Sequence, residues 1–568
     1  MEYSILTDAY EKLEKTSSKI DKTGILSELF SKNPSEELPK VVLLATGRVF
    51  SAYSVYELGI ATQMMIKAIS KATGFSSGLI EKKFKETGDL GLVTEECIKS
   101  RKQTILFKKE LTVDNVFENL QKMAFVTGIG SQERKLNLVA ELMTSAQPKE
   151  ARYIVRTILQ ELRIGVAEGI IRDAIVKAFL TKEVMSKEEK NEMVAAVDYA
   201  WNILSDFGKI AKIAKEKGVN GLKKVKIVLG QPIQVMLGEK ADGIEDIIKD
   251  FGKIAAEYKY DGLRTQIQKM GDKIWIYTRR LEDVTKQFPD LVNLCKKGLK
   301  AKECIVEGET LGINLQTGLP LPFQMLSQRI HRKYDIEKTI KEIPVQIHIF
   351  DIVYLEGKTL FDKPFKERRR ILEKVVKIIP QKFELAKQIV TGDIKEAERF
   401  YQEALNAKQE GLFLKVLDSP YVFGRHVGGW YKIKPIMETL DLVIVGATWG
   451  EGARANWLSS YVLACRDPDT GKFLPCGMMG TGLTENKFQL MTDILKDLII
   501  GENRRETKIK PKIVVEVAYQ EIQKSPNYES GYALRFPRLI RLREDKGPDE
   551  ADTINRILNL FKTQGTSK

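Results

Sequence analysis

Cysteine and histidine are scarce in this chain, with five of the first and three of the second among 568 residues. Cys97, Cys295, Cys304, Cys465 and Cys476 form no Cys-x-x-Cys pair. An odd number at wide spacing argues against a disulfide framework and against a four-cysteine zinc module, and fits a reducing compartment. So few histidines leave little material for histidine-rich metal chemistry. No stretch approaches the ~20 uninterrupted apolar residues of a membrane span. The start, Met1-Glu2-Tyr3-Ser4, lacks the basic residues and apolar run of a secretory leader. Low-complexity segments and internal repeats are missing too. These absences predict a soluble intracellular protein with no membrane partner.

What the chain does contain is length and positive charge. At 568 residues it exceeds a single core, and three or four domains are expected. Hydrophobic residues make up 43% and charged residues 30%, the balance of a folded protein. Basic residues outnumber acidic ones by 91 to 77, for a formal charge of +14. That excess favours a polyanionic partner, nucleic acid first and an acidic membrane surface second. Lysine added for solubility is the plainer explanation of charge alone.

Residues 1 to about 230 carry a helical period, as in Leu6, Ala9, Tyr10, Leu13 and in Val155, Ile158, Leu159, Leu162. Two places there suit phosphate contact. In Thr127-Gly128-Ile129-Gly130-Ser131, glycines followed by a Ser cap open a helix that carries Lys135. The first amides of such a helix are unpaired and suit an anion. Further on, Leu162-Arg163-Ile164-Gly165 breaks one helix and Ala167-Glu168-Gly169 opens the next. Arg152, Arg156, Arg163 and Arg172 lie nearby and could ride on phosphates without reading bases. A capped helix start and a solvated charged face are the ordinary readings of these two stretches.

Strand patterns dominate from about Lys224 to residue 436, and a second strand-rich, glycine-rich region follows Thr439 with the texture of a small barrel. The segment Glu257-Tyr258-Lys259-Tyr260-Asp261-Gly262-Leu263-Arg264 reads as strand, tight Asp-Gly turn and strand, a hairpin. Period two puts Glu257 and Lys259 on one face. Arg264 follows closely, and a neighbouring guanidinium would make Lys259 a better nucleophile.

Five more strands carry charge where an enclosed sheet should be apolar. Trp275, Tyr277 and Arg279 share a face, as do Glu307 and Glu309, and as do Trp430, Lys432 and Lys434. His348, Phe350 and Ile352 alternate with Ile349 and Asp351, and Glu410 opens the segment that ends in Lys415. Carboxylates suit Mg²⁺, lysines and arginines suit phosphate, and Phe350 could stack on a purine. The set reads as a site for a metal-bound polyphosphate.

Together these segments resemble the covalent nucleotidyltransferase superfamily. Lys259-Tyr260-Asp261-Gly262 with Arg264 is similar to its lysine motif. Thr278-Arg279-Arg280, Val306-Glu307-Gly308-Glu309, Ile349-Phe350-Asp351, Glu410-Gly411-Leu412 and Lys432-Ile433-Lys434 follow in order. The stretch from Leu534-Arg535-Phe536-Pro537-Arg538 to Arg543-Glu544-Asp545-Lys546 resembles the last motif of ATP-dependent DNA ligases of the archaeal and eukaryotic replicative type.

The resemblance implies three parts: an all-α DNA-binding domain over 1–230, an α+β adenylation domain over 231–436, and an OB-fold β-barrel over 437–568. It implies ATP as cofactor, Mg²⁺ or Mn²⁺ at Glu309 and Glu410, and nicked duplex DNA as substrate. Lys259 would be the nucleophile that becomes lysyl-AMP. Glu257, Arg264, Arg279, Glu309, Phe350, Arg425, Lys432 and Lys434 would contact ATP, with Glu257 and Phe350 at adenine. Arg535, Arg538, Arg541, Arg543, Asp545 and Lys546 would orient pyrophosphate. Ser131, Lys135, Arg152, Arg156, Arg163, Gly165 and Arg172 are the candidates for DNA contact. Gln103, Leu106 and Phe107 resemble a sliding-clamp box that lacks its second aromatic. A monomer near the nucleoid is expected. An mRNA-capping guanylyltransferase, an NAD-dependent ligase and an inactive nucleic-acid scaffold are the rival readings. The long helical region, the missing zinc module and the complete set of charged motifs argue against each in turn.

Overall fold

In the computed structural model the described residues are 1–100, 110–181, 185–330, 332, 334–424, 428–434, 438–451, 454, 456–503 and 505–563. They form two compact units, Met1–Lys83 with Leu90–Ile433, and Lys434–Lys568 with Phe84–Asp89.

The first unit begins with helices from Tyr3–Lys15 to Phe207–Lys223. Leu6, Ala9, Tyr10 and Leu13, the apolar stripe of the first helix, are all buried. Side chains that compete poorly within a helix do well at its start, so Ser18, Thr112, Ser186 and Asp206 each cap an N-terminus by accepting a backbone N–H. At the glycine-rich stretch the cap is Gly130, at φ +75°, and Ser131 is already helical. The expected serine cap is therefore corrected: the left-handed backbone at the cap is one that glycine adopts without strain.

The linker after Lys223 is held by two buried glutamines. Gln268 accepts from the amide of Gly230 and donates to the carbonyl of Gln231, and Gln266 exchanges the same pair of bonds with Ile233. The strands that follow are β1 (Glu239–Lys240), β2 (Ile254–Lys259), β3 (Leu263–Met270), β4 (Lys273–Thr278), β5 (Glu303–Gly312), β6 (Val345–Leu355), β7 (Lys358–Thr359), β8 (Phe383–Leu385), β9 (Gln388–Thr391), β10 (Gly411–Val416) and β11 (Trp430–Ile433).

They make two sheets. One has the order β1-β11-β10-β2-β9 and the other β4-β3-β5-β6-β7, with β8 beside β6. β2 and β3 are therefore not a hairpin, as the Asp-Gly turn suggested. Asp261-Gly262 carries the chain from one sheet to the other. Gly262 is demanded by crowding, since a Cβ there would lie 2.5 Å from the carbonyl oxygen of Thr310. Each sheet buries one face under helices. Ile254, Ala256, Leu412, Leu414 and Ile433 pack with the helices Ile244–Phe251 and Ile394–Asn406. Ile267, Ile276, Val306, Ile347, Ile349 and Ile352 pack with the helix Pro289–Gly298. Strand alternation turns the polar residues the other way.

The second unit holds β12 (Leu440–Trp449), β13 (Leu458–Arg466), β14 (Phe473–Met479), β15 (Ile499–Asn503), β16 (Glu506–Ile509), β17 (Val514–Ala518), β18 (Glu521–Lys524), β19 (Tyr532–Arg535) and β20 (Arg538–Leu542). Seven of them form one antiparallel sheet around β12, and β18 and β19 form a separate ribbon. Among the described residues no closed barrel is found; the segment after β14 and β20, at the two ends of the path β14-β13-β12-β17-β20, meet through the isolated bridge of Thr481 to Arg538. β12 pairs with β13 on one side and with both β16 and β17 on the other, so the sheet branches at β12. Leu442, Tyr461, Leu463, Phe488 and Val515 fill its core.

Candidate active site

The register assigns each cleft residue. Glu257 lies opposite Phe413 and Gln388, Lys259 opposite Gly411, Lys415 opposite Ala255 and Trp430, and Lys432 opposite Phe413 and Lys240. Partners across a ladder share a face, so Glu257, Lys259, Lys415, Trp430 and Lys432 all lie on the face away from the helices. In the other sheet Arg264 is opposite Glu309, Gln266 opposite Glu307, Glu307 opposite Asp351 and Glu309 opposite His348. These carry the polar face of that sheet.

Phe350 reaches this face through a bulge. The ladder steps from Glu307–Asp351 to Gly308–Ile349, which leaves Phe350 as the extra residue. The strict alternation of His348, Phe350 and Ile352 is therefore broken. Ile352 joins Ile347 and Ile349 in the core, and Asp351 joins His348 on the polar face. Bulges re-aim side chains in this way beside functional sites. The half-buried Phe350 ring meets Trp430 edge-on at 5.9 Å and lies beneath the cations of Lys415 and Arg264.

Lys259 is held by an ion pair to Glu410. Arg264 does not serve as its cationic neighbour. It donates to the Met236 carbonyl at 2.6 Å and to Glu307 at 2.9 Å, and Tyr421 donates to the same Glu307 oxygen at 3.0 Å. Glu307 is fully buried and its carboxyl is pushed up by desolvation, partly offset by Arg264. It is thus an anchor for Arg264. Glu309, the neighbour on that face, is half-buried, and its carboxyl is pushed up to about 8 by desolvation, against the pull of Lys259 and Arg264. A second carboxylate, Glu410, pushes the same way. Glu309 and Glu410 are oxygen donors of the kind a hard divalent cation takes, and loss of the Glu309 proton would accompany binding.

Glu257 is 2% exposed and pairs with Lys415 at 2.5 Å and Arg369 at 3.5 Å, not with Lys259. Asp351 and Arg368 form a second buried pair, joined by two 2.9 Å bonds. Arg369, Gln388, Tyr421 and Arg368 escaped sequence reasoning. They come from a helix, an edge strand and a loop, and no period links them to the lysine motif. Lys415 was legible, since it lies on the strand that Glu410 precedes, but its position gave no role.

Other expected residues are placed less directly. Arg279 lies one residue past the end of β4 and is exposed, so it does not share a strand face with Tyr277. Lys434 lies just beyond β11, at the start of the second unit. Arg425 and the clamp-box residues Gln103, Leu106 and Phe107 lie outside the described residues. In the second unit Arg543 and Lys546 each bind Asp441 at 2.7 Å, Arg543 also grips Asp545, Arg541 pairs with Glu516, and Arg535 with Glu521. Arg538 is exposed on β20.

Among the DNA-contact candidates, Arg152 and Arg156 are corrected. Both are buried, Arg156 donating two hydrogen bonds to Glu14 at 2.9 and 3.1 Å, and Arg152 against Glu95 at 3.2 Å with Glu11 near. Each guanidinium lies over the Tyr153 ring. Their charge ties three helices together and is not offered to a partner. Arg172 pairs with Asp173 and Asp198, Arg163 with Glu161, and Lys135 donates to the Leu58 carbonyl. The Leu162–Gly165 turn does break the helices as expected, with Arg163 at φ +59° and Gly165 at φ +62°.

Comparison with known proteins agrees with this geometry. Residues 2–176 match the model for the DNA ligase N terminus, 235–434 that for the ATP dependent DNA ligase domain, and 454–546 that for the ATP dependent DNA ligase C terminal region. A DNA ligase of Nanoarchaeum equitans is 48% identical, with 99% of each chain covered. One of Thermococcus onnurineus is 46% identical over 99% of this chain and 98% of its own. One of Archaeoglobus fulgidus is 44% identical over 98% and 97%. The solved structure titled Pmar-Lig_PreS3 shares the fold at a TM-score of 0.57 and 16% identity, covering 95% of this chain and 99% of its own. With these family matches and relatives covering nearly the whole chain, the chain belongs to the ATP-dependent DNA ligases.

Proposed function

We infer that this ATP-dependent ligase seals nicks through the residues that face each other across the two-sheet cleft, with Lys259 as nucleophile. The ion pair of Lys259 with Glu410, with Glu309 nearby, carries this reading. In the first step Lys259 Nζ attacks the α-phosphorus of ATP, an N–P bond forms, and the bond to pyrophosphate breaks. The amine must first lose a proton and leave Glu410. In the second step the 5′-phosphate at a nick displaces Lys259 from AMP, and in the third the 3′-hydroxyl displaces AMP and closes the backbone. Each step places negative charge on phosphorus oxygens, so Lys432 and Lys434 act as cationic clamps, and most of the rate comes from in-line positioning.

Arg264, Arg279, Arg425 and Glu309 are assigned to ribose or phosphate, Phe350 and Glu257 to adenine, and the C-terminal set from Arg535 to Lys546 to the departing pyrophosphate. Mg²⁺ or Mn²⁺ fits the carboxylates of Glu309 and Glu410 and would neutralise charge on the triphosphate. For the DNA, the Ser131 helix start and the Arg163–Gly165 turn remain the proposed phosphate contacts. An OB-type role for residues 437–568 and a division at 230 and 436 go with this reading, as does a monomer.

The test is incubation with ATP labelled at the α-phosphate. Covalent label is expected on the wild type, none on Lys259→Ala, and nicked DNA should discharge it. Label that persists on Lys259→Ala would overturn the nucleophile, and labelling by GTP in place of ATP would move the reading to capping.

A further inference from the structure

The Arg163–Gly165 turn is assigned above to a phosphate of the DNA, and the inference here rests on that reading. Lys22 lies behind this turn, on the helix Lys19–Ser31. It is 7% exposed, and its Nζ donates to the carbonyl of Ile164 at 2.7 Å and to that of Gly165 at 2.9 Å. Gly165, at φ +62°, leaves to this nitrogen the place that a Cβ would take. Burial pushes the Lys22 pKa down, but both bonds survive either protonation state, since an ammonium has three N–H donors and an amine still has two.

The other side of the turn is open, with Gly165, Ala167, Glu168 and Gly169 exposed. In a trans peptide the C=O and the N–H point in opposite directions. While Lys22 holds the two carbonyls inward, the amides of the same peptides, which belong to Gly165 and Val166, face outward. Neither amide has a partner among the described residues. A hollow of about 360 Å³, lined by Ala45, Thr46 and residues 162–167, lies beside them.

We propose that Lys22 is a positioning residue for DNA, which clamps two carbonyls inward so that the amides of Gly165 and Val166 are presented to one backbone phosphate. Successive amides aimed to one side form a concavity that suits an anionic oxygen, and such a contact reads no base. Without the clamp either peptide can flip, and a flip puts a carbonyl oxygen where the phosphate should find a donor. Lys22 itself is too deep to replace the contact it sets up.

The experiment titrates the full chain with nicked duplex DNA and times two steps, labelling by ATP and discharge of the label by the nick. Lys22→Met should raise the nick concentration for half-maximal discharge about tenfold, the worth of a lost charge-assisted hydrogen bond, and should slow labelling far less. Lys22→Arg, which keeps donors at this place, should lose less. Nick affinity should keep the wild-type salt slope in Lys22→Met; a slope shallower by about one would make Lys22 a direct phosphate contact and overturn the inference. If labelling and discharge slow alike, Lys22 only ties two helices together and the inference is wrong. Should Lys22→Met fail to fold, Gly165→Ala is read in the same way, since its Cβ would push Nζ off the turn. Val166→Pro separates the two levels, because it deletes an outward amide and leaves Lys22 in place. If Val166→Pro binds nicked DNA as the wild type does, the turn is not at the DNA and the reading beneath falls; if Val166→Pro weakens binding and Lys22→Met does not, this inference alone falls.

Discussion

Three side chains hold the chemistry at the residue scale: Lys259, Glu410 and Glu309. Lys259 is clamped by Glu410, and Glu309 is driven towards its neutral form by burial and by Glu410. Because the Glu309 carboxyl in the folded protein stands at about 8, above the 4.5 of a free carboxyl, the folded state binds more protons than the unfolded one between those values. Stability must then fall as pH rises across that window. Glu309→Gln removes the penalty, so it should raise the melting temperature of the nucleotide-free protein at pH 8 by a few degrees and abolish labelling by ATP. A melting temperature below wild type at that pH would contradict it. The same carboxyl should make Mg²⁺ binding release protons, so calorimetry near pH 7 in two buffers of different ionisation enthalpy should give different apparent heats. Equal heats would mean that no proton leaves.

Elements decide what the residues can reach. The crossing at Asp261-Gly262 lets Lys259 and Arg264, five residues apart, sit on different sheets, so the arginine serves Glu307 and not the lysine. Gly262→Ala pushes a methyl into the Thr310 carbonyl, and a loss of ~1–3 kcal/mol in stability together with slowed self-labelling is expected from denaturant melts and a labelling time course. Unchanged stability would show that the crossing can relax. The helix Pro148–Ile158 gives the opposite case. Arg156→Met strands Glu14 beside Tyr153, so the melting temperature should drop while the salt dependence of DNA binding stays as in the wild type. A shallower slope would return Arg156 to the phosphate contacts. The Phe350 bulge belongs here too: sequence alternation counted it in step with Ile352, and a one-residue insertion in the ladder undid the count.

For the whole molecule, the charge of +14 and the three-step cycle make separate predictions. Nick affinity should fall steeply with salt, with log K linear in log salt concentration, because counterions are released from phosphates. Pyrophosphate leaves only in the first step. Substituting Arg538 or Lys546 by alanine should therefore slow labelling by ATP more than it slows sealing of a nick that already carries 5′-AMP. Equal losses in a pre-adenylated substrate assay would place these residues in the later steps. Phe107→Ala should weaken capture by a sliding clamp in a pull-down, and unchanged capture would remove that partner.

The order of elements, the helical first third, the lysine and the charged motifs were determined by the sequence alone, because each rests on local period, local charge and motif spacing. Glu257, Lys259, Glu309 and Lys432 could be placed on faces for the same reason. What only the tertiary structure decided was pairing at long range. The partner of Lys259 is Glu410, the partners of Glu257 are Lys415, Arg369 and Gln388, and the cations Arg152 and Arg156 are spent on Glu11, Glu14 and Glu95. Charge in a sequence has a sign but no address. Which carboxylate neutralises which cation depends on the sheets and helices that bring them within a few ångströms and exclude water, and no periodicity records that.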